Sequence, residues 1–103
     1  MANRHKDFNE LIATKFENVE FSQAYIMTLI NDEEMSIDEA LRETIIAMGL
    51  QSFADKAEIS IQYVSDFVKK RKKFSTESID KYLQKAFNLR IKMSVESVKG
   101  EVA

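Results

Sequence analysis

Five consecutive basic residues, Lys69 to Lys73, are the part of this sequence best suited to binding chemistry, because together they can hold a polyanion. The run occurs in a chain of formal net charge −2, so it is a local feature and not the result of a basic composition. Cations near the end of a helix interact favourably with its dipole, but at about 0.3–1 kcal/mol each this effect explains one or two of them. Adjacent like charges repel one another, and an anionic polymer relieves that repulsion. We therefore predict a polyanionic partner rather than a helix end that contacts only solvent.

The charges of the whole chain are divided between two regions. Residues 1–50 hold four basic and ten acidic side chains, whereas residues 51–92 hold ten basic and five acidic side chains. Such an asymmetry indicates two surfaces with different partners, one of which is anionic.

The sequence lacks the residues that most kinds of catalysis need. The chain has no Cys, and His5 is its single histidine, so thiolate sites, disulfides, catalytic triads and histidine metal clusters are excluded. The acidic segment Asn31–Glu34 lacks the spacing of a calcium loop and fits a solvated turn. We expect no enzyme activity, no cofactor and no metal. The lack of Cys, of a signal-peptide core and of a membrane-length apolar run leads us to expect a cytoplasmic protein without membrane contact.

The elements that carry these residues are predicted to be helices. With no Pro and only two Gly, the sequence lacks the turn-forming residues that a fold of many strands and tight turns requires. Apolar residues recur at helical spacing in five or six segments, which predicts an all-α bundle. Ser36 and Glu39 form a capping box at the start of one helix, and Gly49 suits its end. Ser52, Ser60 and either Ser75 or Thr76 are candidate caps for later helices.

The length of 103 residues fits a single domain, 1–103. We divide it into an N-terminal helical pair (7–34), a central helical core (36–89) and one short C-terminal strand (90–98). The strand is predicted because apolar Ile91, Met93 and Val95 alternate with polar residues. A lone strand needs a partner for its backbone, and the nearest candidate is a second copy of the chain in a homodimer.

The segment from Leu50 to Lys69 resembles the lambda-repressor-like helix-turn-helix class. Two short helices joined by about four residues have this shape. Ala54 provides the small residue where the helices cross, while Ile59, Val64 and Phe67 provide the apolar contacts behind the second helix.

The resemblance implies which residues contact double-stranded DNA. Gln62 is suited to adenine and Ile61 to a thymine methyl group. The candidate base-contacting residues are Ser60, Ile61, Gln62, Tyr63 and Ser65. Gln51 and Ser52, at the start of the first helix, would approach a phosphate. The remaining phosphate contacts would come from Lys69, Lys70, Arg71, Lys72 and Lys73, which position the protein without reading sequence.

Three features depart from the usual pattern of this class. Glu58 stands where Gly is usual, because that turn residue often adopts a positive φ. Asp66 would repel phosphate unless it accepts a hydrogen bond from a cytosine amine or pairs with a nearby basic residue. After the second helix, Arg71 to Phe74 replace the Gly-Asn-Pro turn that many members have.

Over residues 7–98 the chain is also similar to the addiction-module antidote family, the antitoxins of bacterial toxin–antitoxin pairs. The matching segments, in order, are DFNELIATKFENVEFSQAYIMTLI, IDEALRETIIAMG and FNLRIKMSVE. This similarity implies a sequence-specific DNA-binding regulator that represses its own operon and neutralises a small basic RelE-like toxin. Two other hypotheses remain: a helical interaction module that does not bind DNA, and a phage-type repressor without a toxin partner.

Overall fold

The structure is a computed structural model, and it describes residues 11–98. Within this range the chain forms six helices and no strand, which confirms the prediction of an all-α fold. Residues 11–15 are helical and form α1. The other helices are α2 (Val19–Asn31), α3 (Ile37–Met48), α4 (Leu50–Ala57), α5 (Ile61–Val68) and α6 (Thr76–Phe87). Residues 7–10, which the predicted N-terminal helical pair includes, lie outside the described range.

Serine side chains cap the N-termini of three of these helices. The Oγ of Ser36 accepts a hydrogen bond from the Glu39 N–H at 3.2 Å, and α3 ends at Gly49 with φ 104°, as predicted. Ser60 caps α5, and Ser75 rather than Thr76 caps α6. Each cap satisfies a backbone donor that has no partner within its helix.

The predicted cap at Ser52 is wrong, because α4 begins two residues earlier, at Leu50. Gly49 both ends α3 and precedes α4, with φ 104° and ψ 134°. A left-handed φ of this kind is accessible to Gly at little cost, so a single residue can reverse the chain between the two helices.

The core lies where α3, α4, α5 and α6 meet, with α2 packed against α3 and α6. It is rich in aromatic residues: Phe53 and Phe87 lie with their ring centroids 6.0 Å apart, and Phe67 and Phe74 stack at 4.1 Å. All four of these rings are almost completely buried. Close-packed rings of this kind fix the relative positions of the last three helices.

The predicted C-terminal strand is not seen. Residues 89–98 form neither helix nor strand, and no strand in residues 11–98 is present to pair with them. The Ile91 N–H donates to Asp80 Oδ1 at 2.7 Å, which attaches the start of this segment to α6. Beyond it, Met93 is 84% exposed and Val95 is 100% exposed. The alternation of apolar and polar residues is real, but among residues 11–98 it has no second strand to pair with.

Candidate nucleic-acid interface

The helices α4 and α5 form a tight pair joined by residues 58–60. Glu58 adopts the left-handed conformation with φ 62° and ψ 44°, which confirms the positive φ expected at this turn. The next residue, Ile59, donates its N–H to the Ala54 carbonyl at 3.0 Å. Ala54 and Val64 are buried, one on each helix of the pair. The side chains predicted to hold the two helices together therefore do lie on their inner faces.

The turn at Glu58 is also attached to α6 through its side chain. Lys85 donates from Nζ to Glu58 Oε1 at 2.9 Å. This hydrogen bond and the Lys85 charge hold the pKa of Glu58 below its usual value. The carboxylate at this position is thus kept ionised and paired, and it links the turn to the neighbouring helix α6.

The start of α5 is exposed at Ser60, Ile61 and Gln62, three of the five residues predicted to contact bases. Ile61 is 44% exposed and Gln62 is also exposed. Ser60 is exposed as well, but its Oγ accepts a hydrogen bond from the Tyr63 N–H at 3.1 Å. Its hydroxyl therefore caps the helix and keeps its proton and its second lone pair for another partner.

Asp66 is paired within the chain. Gln62 donates from Nε2 to Asp66 Oδ1 at 3.1 Å, one helical turn apart, and Arg71 Nη1 lies 3.9 Å from the same oxygen. The Asp66 side chain is only 17% exposed. Its negative charge is consequently directed toward a basic neighbour. Pairing of this kind is one of the two arrangements that would allow Asp66 to lie on a surface that approaches DNA.

Tyr63 does not lie on the exposed edge where it was predicted. It is half-buried against the core, and its ring centroid lies 5.0 Å from that of Phe74. Burial, together with the neighbouring Tyr63 hydroxyl, raises the pKa of the core residue Tyr82. Ser65, also predicted to contact bases, is half-buried. The exposed part of the predicted reading surface is therefore limited to Ser60, Ile61 and Gln62.

The five basic residues form a loop after α5 and do not extend the helix. The Lys70 N–H donates to the Phe67 carbonyl at 3.0 Å, and the Arg71 N–H donates to the Asp66 carbonyl at 2.8 Å. These two bonds are those of a Schellman motif, with Lys70 in the left-handed position at φ 64°. All five side chains from Lys69 to Lys73 are exposed. The chain thus turns sharply and displays a compact cluster of positive charge beside α5.

Two residues outside the predicted site hold this loop in place. Phe74, only 4% exposed, stacks on Phe67 with an interplanar angle of 3°. Arg42, from the acidic half of the chain, donates from Nε to the Phe67 carbonyl at 3.1 Å, and its guanidinium lies 4.6 Å from the Phe67 ring centroid. A single aromatic residue directly after a run of five charges was the sequence signal for Phe74. Nothing in the sequence indicated a role for Arg42, because it contacts Phe67, which lies 25 positions away along the chain.

The start of α4 presents the remaining predicted residues. Gln51 is exposed and donates to Asp55 Oδ1 at 2.8 Å, whereas Ser52 is half-buried. Because α4 begins at Leu50, both residues lie in the first helical turn, where backbone N–H groups lack partners within the helix. This end can accept an anion through its backbone, although Ser52 does not provide the cap.

No family model, curated protein or solved structure matches this chain. Within residues 11–98, no group of three or more acidic or histidine side chains is placed to hold a metal ion. No helix in the same range has the length and apolar content needed to cross a membrane. The features of the chain that bear on its function are therefore the geometry of α4, of α5 and of the loop that follows them.

Proposed function

We propose that this protein is a sequence-specific DNA-binding transcriptional regulator in which α4 and α5 act as a helix-turn-helix. The observation that supports this most directly is that Ser60, Ile61 and Gln62 are exposed at the start of α5, while an anchored loop of five exposed basic residues follows the end of the same helix. An α-helix with its side chains is about 10–12 Å in diameter, close to the width of about 12 Å of the major groove of B-DNA. Such a helix can enter the groove while basic residues at its end contact the phosphates beside it.

Gln62 is the main base-reading residue in this proposal. Its side-chain amide has two N–H donors and one carbonyl acceptor. One N–H is directed to Asp66, which leaves the other N–H and the carbonyl oxygen for the two-bond pairing with adenine. Asp66 then orients the amide before DNA arrives, so less side-chain freedom is lost on binding.

The basic loop provides affinity but little sequence preference. Charges that neutralise phosphates release condensed counterions, so the logarithm of the binding constant falls with the logarithm of salt concentration by about 0.9 per contact. Arg71 is paired with the carboxylate of Asp66 and is therefore less available to a phosphate. We assign the phosphate contacts mainly to Lys69, Lys70, Lys72 and Lys73.

The test measures binding to a fragment from upstream of the protein's own gene, by fluorescence anisotropy across a salt series. The double variant Lys72→Gln/Lys73→Gln should lower the salt slope by about 1.8, since two phosphate contacts are lost. The control Lys15→Gln/Lys81→Gln carries the same net charge and should keep the wild-type slope. Equal slopes for the two variants would contradict the assignment. If the wild-type chain fails to bind the fragment at low salt, the helical interaction module becomes the better hypothesis.

A separate experiment tests whether Gln62 recognises the base sequence of the DNA. Gln62→Ala should reduce discrimination among operator variants while it leaves the salt slope unchanged, because a base contact and not a phosphate contact is removed. An unchanged order of preference among those variants would contradict the role given to Gln62.

We further propose that the regulator is antitoxin-like and acts as a homodimer that also binds a small basic toxin of the RelE-like kind. The support on the protein side is the acidic turn between α2 and α3, where Asp32, Glu33 and Glu34 are all exposed. Opposite charge across an interface accelerates and orients association. Two copies of the chain would present two α5 helices to the two halves of an operator.

A short reading frame beside the gene would supply the toxin for this test. Co-expression of the two proteins should relieve growth arrest by the toxin, and Asp32→Asn/Glu33→Gln should weaken the complex without altering DNA binding. DNA binding without any such neighbour or complex would instead favour the phage-type repressor.

A further inference from the structure

The segment after α6 has an unusual pattern of exposure. Met93, Val95 and Val98 are 84%, 100% and 76% exposed, so three apolar side chains lie in solvent within six residues. From Lys92 to Glu96 polar and apolar side chains alternate, and Ser97 interrupts this alternation before Val98. An isolated exposed apolar residue is ordinary, but a regular alternation in an otherwise unpaired segment indicates a strand that requires a partner.

Directly beside the start of this segment lies an apolar groove of about 340 Å³. Its lining is mainly apolar, with Met27, Ile30, Leu83 and Ile91 among its residues, and it also includes Arg90 and Lys92. Met27 is 41% exposed at this groove, and Ile91 is half-buried in it. The groove is thus continuous with the segment through Ile91.

We propose that two copies of this chain pair through residues 92–96 as antiparallel strands, with Ser94 on the two-fold axis. In this register Lys92 lies opposite the partner's Glu96, and Glu96 lies opposite the partner's Lys92. On the other face, Met93 lies opposite the partner's Val95. One face then consists of two ion pairs and the other of two apolar pairs, so the segment is complementary to itself. This inference specifies the homodimer proposed above and does not depend on DNA binding.

Other registers match less well. A parallel pairing would place Lys92 opposite the partner's Lys92 and Glu96 opposite the partner's Glu96, and like charges directly opposite are destabilising. An antiparallel shift by one residue would place apolar residues opposite polar ones on both faces. An antiparallel register centred on Met93 would pair Arg90 with the partner's Glu96, but it would need Ile91, which already packs in its own groove.

The hydrogen bond at Ile91 fixes which backbone groups face the partner. In an antiparallel ladder, alternate residues direct both their N–H and C=O groups toward the neighbouring strand. The Ile91 N–H is used by Asp80, so Ile91 and the residues two and four positions later direct these groups away from the partner. The ladder bonds then come from Lys92, Ser94 and Glu96, the same residues that carry the polar face.

The groove provides the packing that a two-stranded ladder lacks. Such a ladder is marginal in water unless its apolar face packs against a helix. Met93 and Val95 share a face with Ile91 because side chains in a strand alternate with a period of two. That face is continuous with the groove through Ile91, so the paired strands would cover the groove and the exposed Met27.

Charge exchange in the full-length chain tests the register by sedimentation equilibrium at low salt. Lys92→Glu and Glu96→Lys should each raise the dimer dissociation constant by at least about tenfold, because each places like charges opposite one another twice. The double variant Lys92→Glu/Glu96→Lys should restore the wild-type value. An equimolar mixture of the two single variants should form a heterodimer, since every charged pair is then of opposite sign.

Arg90→Glu is the matched control, because it makes the same charge change two residues away and faces the partner's Val98. It should change the dissociation constant much less than Lys92→Glu. A larger effect of Arg90→Glu would overturn the register centred on Ser94, as would two single variants that dimerise like the wild type. A wild-type chain that stays monomeric at high concentration would overturn both the dimer and its register, and the groove would then suit a different protein.

Amide hydrogen exchange gives an independent readout. The amides of Lys92, Ser94 and Glu96 should be protected in the dimer, whereas those of Met93 and Val95 should exchange rapidly. The reverse pattern, or uniform rapid exchange in a confirmed dimer, would contradict the pairing.

Discussion

Replacement of Phe74 by Leu should separate the stability of the fold from the placement of the basic loop. Phe74 is the residue at which the loop rejoins the core, and it contacts three aromatic rings. Its ring centroid lies 4.1 Å from that of Phe67 and 5.0 Å from those of Tyr63 and Tyr82. Leu keeps most of the apolar volume and loses these ring contacts.

The expected loss of stability follows from the number of rings. Each aromatic pair contributes about 0.5–1.5 kcal/mol beyond the area it buries, and part of this is retained by Leu. We therefore expect Phe74→Leu to lower the free energy of unfolding by about 2 kcal/mol. For a domain of this size that corresponds to a decrease in Tm of roughly 8–16 °C. A domain with a typical stability of about 5–15 kcal/mol remains folded at 25 °C after such a loss.

DNA affinity should fall at 25 °C even though the variant is folded. Ordering a released backbone costs about 1–2 kcal/mol per residue, so two residues that must be reordered on binding cost about 2 kcal/mol or more. This is roughly a 30-fold weaker binding constant. Thermal denaturation by circular dichroism gives the Tm, and fluorescence anisotropy gives the affinity.

Phe16→Leu is the matched control for this experiment. Phe16 is as buried as Phe74 and has two aromatic neighbours, Phe21 at 5.1 Å and Tyr25 at 5.0 Å, but it lies before α2 and away from the loop. It should lower the Tm without changing DNA affinity at 25 °C. If the two variants lose affinity equally, or if Phe74→Leu keeps the wild-type affinity, the proposed anchoring of the loop is refuted.

Three further predictions concern helix ends. Lys70→Gly should raise the free energy of unfolding in urea by about 1 kcal/mol, because Gly adopts φ 64° without the steric cost of a side chain; a loss of stability would contradict this. Ser75→Ala should lower it by about 1 kcal/mol through loss of the 3.0 Å bond from the Ser78 N–H, and an unchanged stability would contradict that role. The lowered pKa of Glu58 means that its pairing with Lys85 stabilises the fold above the usual carboxyl pKa. This contribution is lost as the pH falls through the lower folded value, so Glu58→Gln should remove that part of the acid-induced change in Tm.

Local patterns predicted the helix ends well because the interactions there are local. The Ser36 cap and the end of α3 at Gly49 each depend on residues within four positions of one another, whereas the positive φ at Glu58 was implied by the resemblance to the helix-turn-helix class. The start of α4 was misplaced because Gly49 serves two helices at once. A serine three residues later resembled a cap, and nothing local excluded it.

The environments of Tyr63 and of the basic loop could not be predicted in this way. Tyr63 lies near the boundary of the apolar face of α5, so helical periodicity alone permits either orientation. Its burial is determined by Phe74, which the chain brings back only after a sharp turn at Lys70. The contact of Arg42 with Phe67 is more distant still in sequence. Contacts of this kind are products of the fold, and no spacing rule for one helix contains them.

Asp66 shows how such contacts change the interpretation of a single residue. On sequence alone it is an acidic side chain on a surface expected to approach phosphates, and its charge is unfavourable there. In the fold its carboxylate lies beside Arg71, while its backbone carbonyl accepts from the amides of Arg71 and Lys72. The same carboxylate holds the Gln62 amide at 3.1 Å. Asp66 therefore connects Gln62, the proposed base-reading residue, to the basic loop that we propose binds phosphates. Asp66→Asn should weaken specific DNA binding more than nonspecific DNA binding if that connection orients Gln62. Equal loss for both kinds of DNA would mean that Asp66 acts through charge alone.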